Sequence, residues 1–271
     1  MSPMVKPIRA PKSIRLTPVR PNIGIQEAYQ RRLDRLIAQM QRDTERTVRA
    51  AWKANPPEMA RDESPAAGLR AAMGRLGREW SARFAEFAST WGRKFARDAA
   101  GAADRTFAAA LRKAGFTVRF SMTREVNDIV QAAVAENVAL IKSIPAQYHK
   151  DIEGKVMRSV QAGRDLGGLA ADLEKTYGVT KRRAAIISQS QNNMATAAIT
   201  RARQIEVGIV GAVWRHSGGG RVPRPTHVAN DGKSYDVAKG WFDPAVKRFI
   251  LPGELPSCRC VSMSIIPGIH S

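Results

Sequence analysis

The sequence predicts a mainly α protein with a small C-terminal α+β module and an extended Pro-rich N-terminal arm. Three observations predict it. Apolar residues recur at helical spacing through most of residues 26–206. Of the chain, 44% is hydrophobic but only 6% aromatic; alanine supplies much of the difference and buries little area, so thin helical packing follows. Beyond residue 207 the helical rhythm stops. Turn signals, short alternating runs and both cysteines then crowd into residues 214–260.

The arm is residues 1–22, with Pro3, Pro7, Pro11, Pro18 and Pro21 and no acidic residue. Proline at that density removes the donors that helices and ladders need. An extended segment results, docked on a partner or left as a tail. A helical region spans 23–160. Its first helix covers 26–54, where Tyr29, Leu33, Leu36, Ile37, Met40 and Val48 line one side, and Pro56-Pro57 ends it. Ser64-Pro65 opens the next helix, which runs over 66–114 to Gly115. Within it Trp80, Phe84, Phe87, Trp91 and Phe95 make one aromatic stripe. Such a stripe is far more often a packing seam than a base-stacking platform, and the seam could face a helix of another subunit. Residues 116–120 read as a strand. Residues 121–125 start a helix over 124–142, Pro145 breaks it, and a further helix covers 146–163.

The C-terminal domain is residues 161–271. A glycine-rich turn leads to a helix ending at Gly178. Another helix spans 181–206, whose Gln189, Gln191, Asn192 and Asn193 read as interhelical hydrogen-bonding groups. A strand over 207–215 then enters the terminal module.

Charge bounds the partners. Lys and Arg number 44 against 24 Asp and Glu, a net +20 with pI near 10.9. Residues 1–120 hold 24 of the former and 11 of the latter, so +13 lies there. This balance points to a polyanion: nucleic acid, an acidic protein surface or an anionic membrane. A solvated, Arg-rich helical surface is the bland reading. No run of 18 apolar residues marks a transmembrane helix. The basic N-terminus lacks the apolar core of a signal peptide. Two cysteines make no disulfide framework, and Cys258-x-Cys260 is poorly spaced for a mutual bond. A reducing cytoplasm is the expected place of synthesis.

Three uses compete for the terminal module. His216, His227, Cys258 and Cys260 offer two imidazoles and two thiolates, a tetrahedral zinc set with His227 the favoured imidazole; Cys-x-Cys is an unusual spacing for a zinc knuckle. A Cys–His pair is also the minimum for a nucleophile and base. No family-specific signature surrounds it, no paired carboxylates or P-loop appear, and Gly218-Gly219-Gly220 reads as a hairpin tip. The structural use is a compact knob, turned at Asn230-Asp231-Gly232 and filled by Trp214, Trp241, Phe242 and Phe249. This last use fits the residues best.

The order Trp214, Arg224, His227, Asp231, Gly232, Pro252, Cys258, Arg259 and Cys260 resembles the C-terminal domain of phage head-morphogenesis proteins, the Mu F-like minor head protein family. The resemblance covers residues 163–260. It departs where the family's helix is usually written Ala-Arg-Thr-Glu, since this chain has Ser188-Gln189-Ser190-Gln191. It departs again after Trp214, where glycines and Arg221 replace an Asp and an Arg. The resemblance implies a non-enzymatic minor capsid protein in the virion head. It implies portal protein and major capsid or scaffold proteins as partners, and association with packaged DNA. Some relatives carry toxin domains after this module; with eleven residues beyond Cys260, none is expected here. Lys6, Arg9, Lys12, Arg15 and Arg20 are the expected contacts to double-stranded DNA or portal, without sequence preference. No membrane partner is expected. The alternatives are a metal- or thiol-dependent enzyme acting on nucleic acid or cell wall, and a soluble DNA-binding protein.

Overall fold

A computed structural model describes residues 13–54, 65–161, 166–220 and 222–267. The chain forms two compact units. One comprises Asn22–Asp98 and Val130–Asn192; the other comprises Met1–Pro21, Ala99–Ile129 and Asn193–Ser271.

The first unit is helical. It contains α1 (Ile23–Ala54), α2 (Pro65–Phe87) and a π-helical turn (Ala88–Gly92). It also holds the start of α3 (Arg93–Lys113) and the larger parts of α4 (Arg124–Gln161) and α5 (Leu166–Glu206). Leu33, Ile37 and Met40 of α1 pack with Trp80 and Phe84 of α2 and with Ile141, Ile144, Tyr148 and Ile152 of α4; all are buried. The aromatic stripe is this internal seam. Phe95 stacks on Tyr29 at 4.3 Å between ring centroids. Trp91 at its edge is covered by the Arg32 guanidinium, 3.6 Å from the ring centroid. The π-helical turn has a geometric cause. Trp80, Phe84, Ala88, Gly92 and Ala96 are all buried, a strict four-residue repeat. In an α-helix each such step overshoots by about 40°, and the wider turn takes up part of the drift.

Two helices run through residues that should have ended them. Pro145 lies inside α4, although it leaves the Ile141 carbonyl without its helical donor. Ile141, Ile144, Tyr148 and Ile152 lie on either side of it in the core, and their burial outweighs the lost bond. Gly178 lies inside α5. Leu173, Thr176, Thr180 and Ala184, before and after it, are buried. The Thr176 and Thr180 hydroxyls donate to the carbonyls of Asp172 and Thr176. By length and composition α4 is apolar enough to cross a membrane; here its Ile141, Ile144, Ile152 and Val156 lie in the helical core.

The second unit is α+β. Its four-stranded antiparallel sheet has the order β1-β6-β2-β3, from β1 (Ile14–Arg15), β6 (Val261–Ile266), β2 (Gly211–Arg215) and β3 (Ser234–Asp236). A two-stranded sheet pairs β4 (Trp241–Asp243) with β5 (Arg248–Ile250). The short helix α6 (Pro225–Ala229) begins with proline at its first turn, where the missing N–H costs nothing. The described part of the arm docks on this chain's own sheet. Ile14 and Arg15 pair with β6, the Leu16 N–H donates to Ser264 O at 3.0 Å, and Leu16 and Val19 are buried.

Residues 116–120 form no strand. Phe116, Val118 and Phe120 are half-buried and Thr117 and Arg119 exposed, so the two-residue period is real, but no neighbouring strand offers a ladder. Phe120 instead stacks on Phe107 of α3 at 5.8 Å. The three glycines at 218–220 do not tip a hairpin; they lie in the connection from β2 to α6.

Candidate metal centre

Trp214 is the middle of this site. It sits on β2 with no exposed surface because its strand is paired on both sides, by β6 and β3. Its indole meets the rings of His227 at 5.1 Å and Trp241 at 5.5 Å, both edge-on. The fixed φ of Pro225 starts α6 and turns His227 inward, where it is 2% exposed. The loop 251–260 brings the cysteines. It can approach α5 only through Gly253, whose φ is +86°; a Cβ there would lie 2.9 Å from the Ala197 Cβ. The amide of Asn193 on α5 donates to Cys258 O at 2.8 Å. Of the four amides singled out on α5, Asn193 thus holds this loop, and Asn192 donates to Asn22 O at 3.0 Å.

His227 Nδ1 lies 3.4 Å from Cys258 Sγ and 3.7 Å from Cys260 Sγ. Both cysteines are free thiols and buried. These three donor atoms lie within 4.8 Å of one another. On the other side of the ring, Nε2 is 3.4 Å from Asp243 Oδ2, in a carboxylate with no exposure. That approach lacks hydrogen-bond alignment. The carboxylate is fixed instead by the Thr226 hydroxyl at 3.3 Å and the Ala245 N–H at 2.9 Å. His216 stands outside the group and its Nδ1 accepts the Gly218 N–H at 3.1 Å.

The two sulphurs are electrostatically unequal. Donation from the Cys260 thiol lowers Cys258 to about 4 against the opposing effect of burial, with help from His227 and from the backbone N–H groups of Cys260 and Gly253. The same contact, together with burial, raises Cys260. Trp214 beside it works against that rise, although its indole N–H makes no hydrogen bond. Two chemistries suit such a site: binding a thiophilic cation, or a thiolate–imidazole pair. Cys258 is 3% exposed, which leaves a nucleophile without a route to a polymeric substrate.

The remaining motif residues support the knob. Arg224 donates to Pro256 O at 2.9 Å. Asp231 accepts the His216 N–H at 2.9 Å and pairs with Arg215 at 3.7 Å. Gly232 takes a φ of +79° and donates to Trp214 O at 2.9 Å. The Arg259 guanidinium lies beside Gly219, and Pro252 lies near Asn193 and Cys260. Of the residues expected to contact a polyanion, Arg15 and Arg20 are exposed; Lys6, Arg9 and Lys12 fall outside the described residues.

Two important residues escape sequence reasoning. Asp243 carries no local signal of its role. Arg203, 1% exposed, forks onto both Asp104 carboxylate oxygens at 2.8 Å and reaches Glu206 at 2.6 Å. Its partner Asp104 is 99 residues away, and only the fold brings them together.

Residues 150–263 match the family model described as Phage Mu protein F like protein. An uncharacterized protein of Haemophilus influenzae is 35% identical over 144 residues, which make up 52% of this chain and 30% of that relative. This chain therefore spans less than a third of the relative's length. No solved structure matches the chain.

Proposed function

We propose that this chain is a minor protein of a phage head, on the basis of the match of residues 150–263 to the Phage Mu protein F-like family. In this reading it is structural rather than catalytic. It joins the portal and the inner shell, made of major capsid or scaffold protein, and meets packaged DNA without reading sequence. The family match carries the proposal, because its span includes the Trp214–His227–Cys258–Cys260 arrangement and the helix on which the cysteine loop rests.

The charge supports the DNA and portal contacts. A net +20 draws the chain to any polyanion through counterion release. Arginine forks suit phosphates and the carboxylates of a protein surface alike. Exposed Arg15 and Arg20 flank the buried Leu16 and Val19, so the described end of the arm presents cations while its apolar residues anchor it.

Quantitative mass spectrometry of gradient-purified heads, before and after DNA release, tests the reading. Presence at a few to a few tens of copies, on the order expected of a minor component built on a portal with closed cyclic symmetry, is the expected result. Departure with the DNA would make it an ejected factor, and retention a portal or shell component. Absence from particles would overturn the head assignment. The thiol-enzyme alternative draws on the short Cys258–His227 contact. Normal head assembly by a Cys258→Ser variant would remove it.

A further inference from the structure

We propose that Cys258, Cys260 and the Nδ1 of His227 bind a zinc ion, with the Asp243 carboxylate orienting His227 from behind. This does not depend on the head assignment, because it rests on the donor set and its surroundings.

The first support is spacing. With Zn–S near 2.3 Å and Zn–N near 2.05 Å, a tetrahedral sulphur–nitrogen edge is about 3.6 Å. The two Cys–His separations, 3.4 and 3.7 Å, lie on either side of it. The second is the donor set. Two thiolates and one imidazole suit zinc over the hard, oxygen-seeking cations. The loop 251–260 and α6 bring residues 31 and 33 positions apart to one point.

The third support is what surrounds the donors. Metal-bound histidine commonly presents its second nitrogen to a carboxylate, and Asp243 occupies that place at 3.4 Å, fully buried. His227 is its one ion-pair partner among the described residues. A cation on Nδ1 polarises the opposite N–H toward Asp243 and so compensates a buried negative charge, which is costly when left alone. Two ring nitrogens, His227 Nε2 and Trp214 Nε1, are buried without hydrogen-bond partners. Buried donors of that kind are costly in a plain apolar core. Around a metal centre they have a use: Nε2 lies 3.4 Å from the Asp243 carboxylate, and the Trp214 ring packs edge-on against the ligating imidazole at 5.1 Å. Three protein donors leave the fourth corner to a solvent oxygen.

The test uses the reduced full-length chain, loaded with zinc, freed of excess by gel filtration and assayed by elemental analysis. One zinc per chain is expected. Cobalt(II) in its place is expected to give thiolate-to-metal charge transfer and the visible bands of a four-coordinate ion. His227→Ala and Cys258→Ser should lose both signals, and His216→Ala should keep both. If the Cys258 or His227 variant fails to fold, Asp243→Asn carries the test. It should still fill to one equivalent but bind about 10–100-fold more weakly against a competing chelator. A reduced chain that takes up no zinc overturns the site. Cobalt bound without charge transfer, or loss of metal in His216→Ala, overturns this ligand set. Unchanged affinity in Asp243→Asn overturns the orienting carboxylate.

Discussion

His149 lies in the core of the helical unit with neither ring nitrogen hydrogen-bonded. Burial lowers its pKa from 6.5 to about 4. Below pH 6.5 the unfolded chain binds a proton that the folded chain refuses, so stability falls as pH drops from 6.5 toward 4 and is fully present above that window. The loss attributable to this residue is on the order of 3 kcal/mol. Unfolding free energies of wild type and His149→Leu from urea titrations should draw apart by about that much between pH 7 and 4. Parallel curves would mean that His149 is solvated when folded. Nothing in the local sequence marks this histidine. It lies buried in α4, where its ring faces Gly77 of α2 so closely that a Cβ there would lie 3.6 Å from it, and a contact between residues 72 positions apart is invisible to periodicity. His227 differs, because a turn signal, a proline and an Arg-x-x-His pattern surround it, and its place near the cysteines was legible.

At the scale of elements, the aromatic stripe shows how far pattern reading reaches. Its spacing identified a packing seam, and the seam exists. The π-helical turn inside it did not show in the sequence, because a wide turn is chosen by which faces must stay buried over five helical turns. Deleting Thr90 would restore a regular helix and rotate everything beyond it by roughly 100° relative to α2. Phe95 would then leave Tyr29, and the deletion is expected to lower Tm sharply or abolish cooperative melting, as read by near-UV and far-UV circular dichroism. An unchanged melt would mean that the turn is only a local accommodation. Pro145 and Gly178 teach the same point from the other side. Each is a local helix breaker costing about 1–3 kcal/mol, and each is overridden by core residues before and after it.

Across the whole molecule, the net charge of +20 favours a polyanionic partner. Replacing Lys6, Arg9, Lys12, Arg15 and Arg20 with glutamine should reduce the slope of log affinity for duplex DNA against log salt, by about 0.9 for each phosphate that is no longer neutralised. Equilibrium binding across a salt series measures it, and an unchanged slope would take the arm out of the DNA interface and leave the helical surface as the source of attraction.

By itself the sequence determined the helical content, the basic charge and the Mu F-like motif of the terminal module. Periodicity, composition and residue order express these, and each acts over short spans or over the whole chain at once. The tertiary structure decided which helices run on through Pro145 and Gly178, and that residues 14–16 bond to their own chain's sheet. It also supplied Asp243 behind His227 and Asp104 beneath Arg203. Those outcomes depend on contacts between residues tens of positions apart, where summed burial exceeds any local preference and no spacing in the chain records the partner.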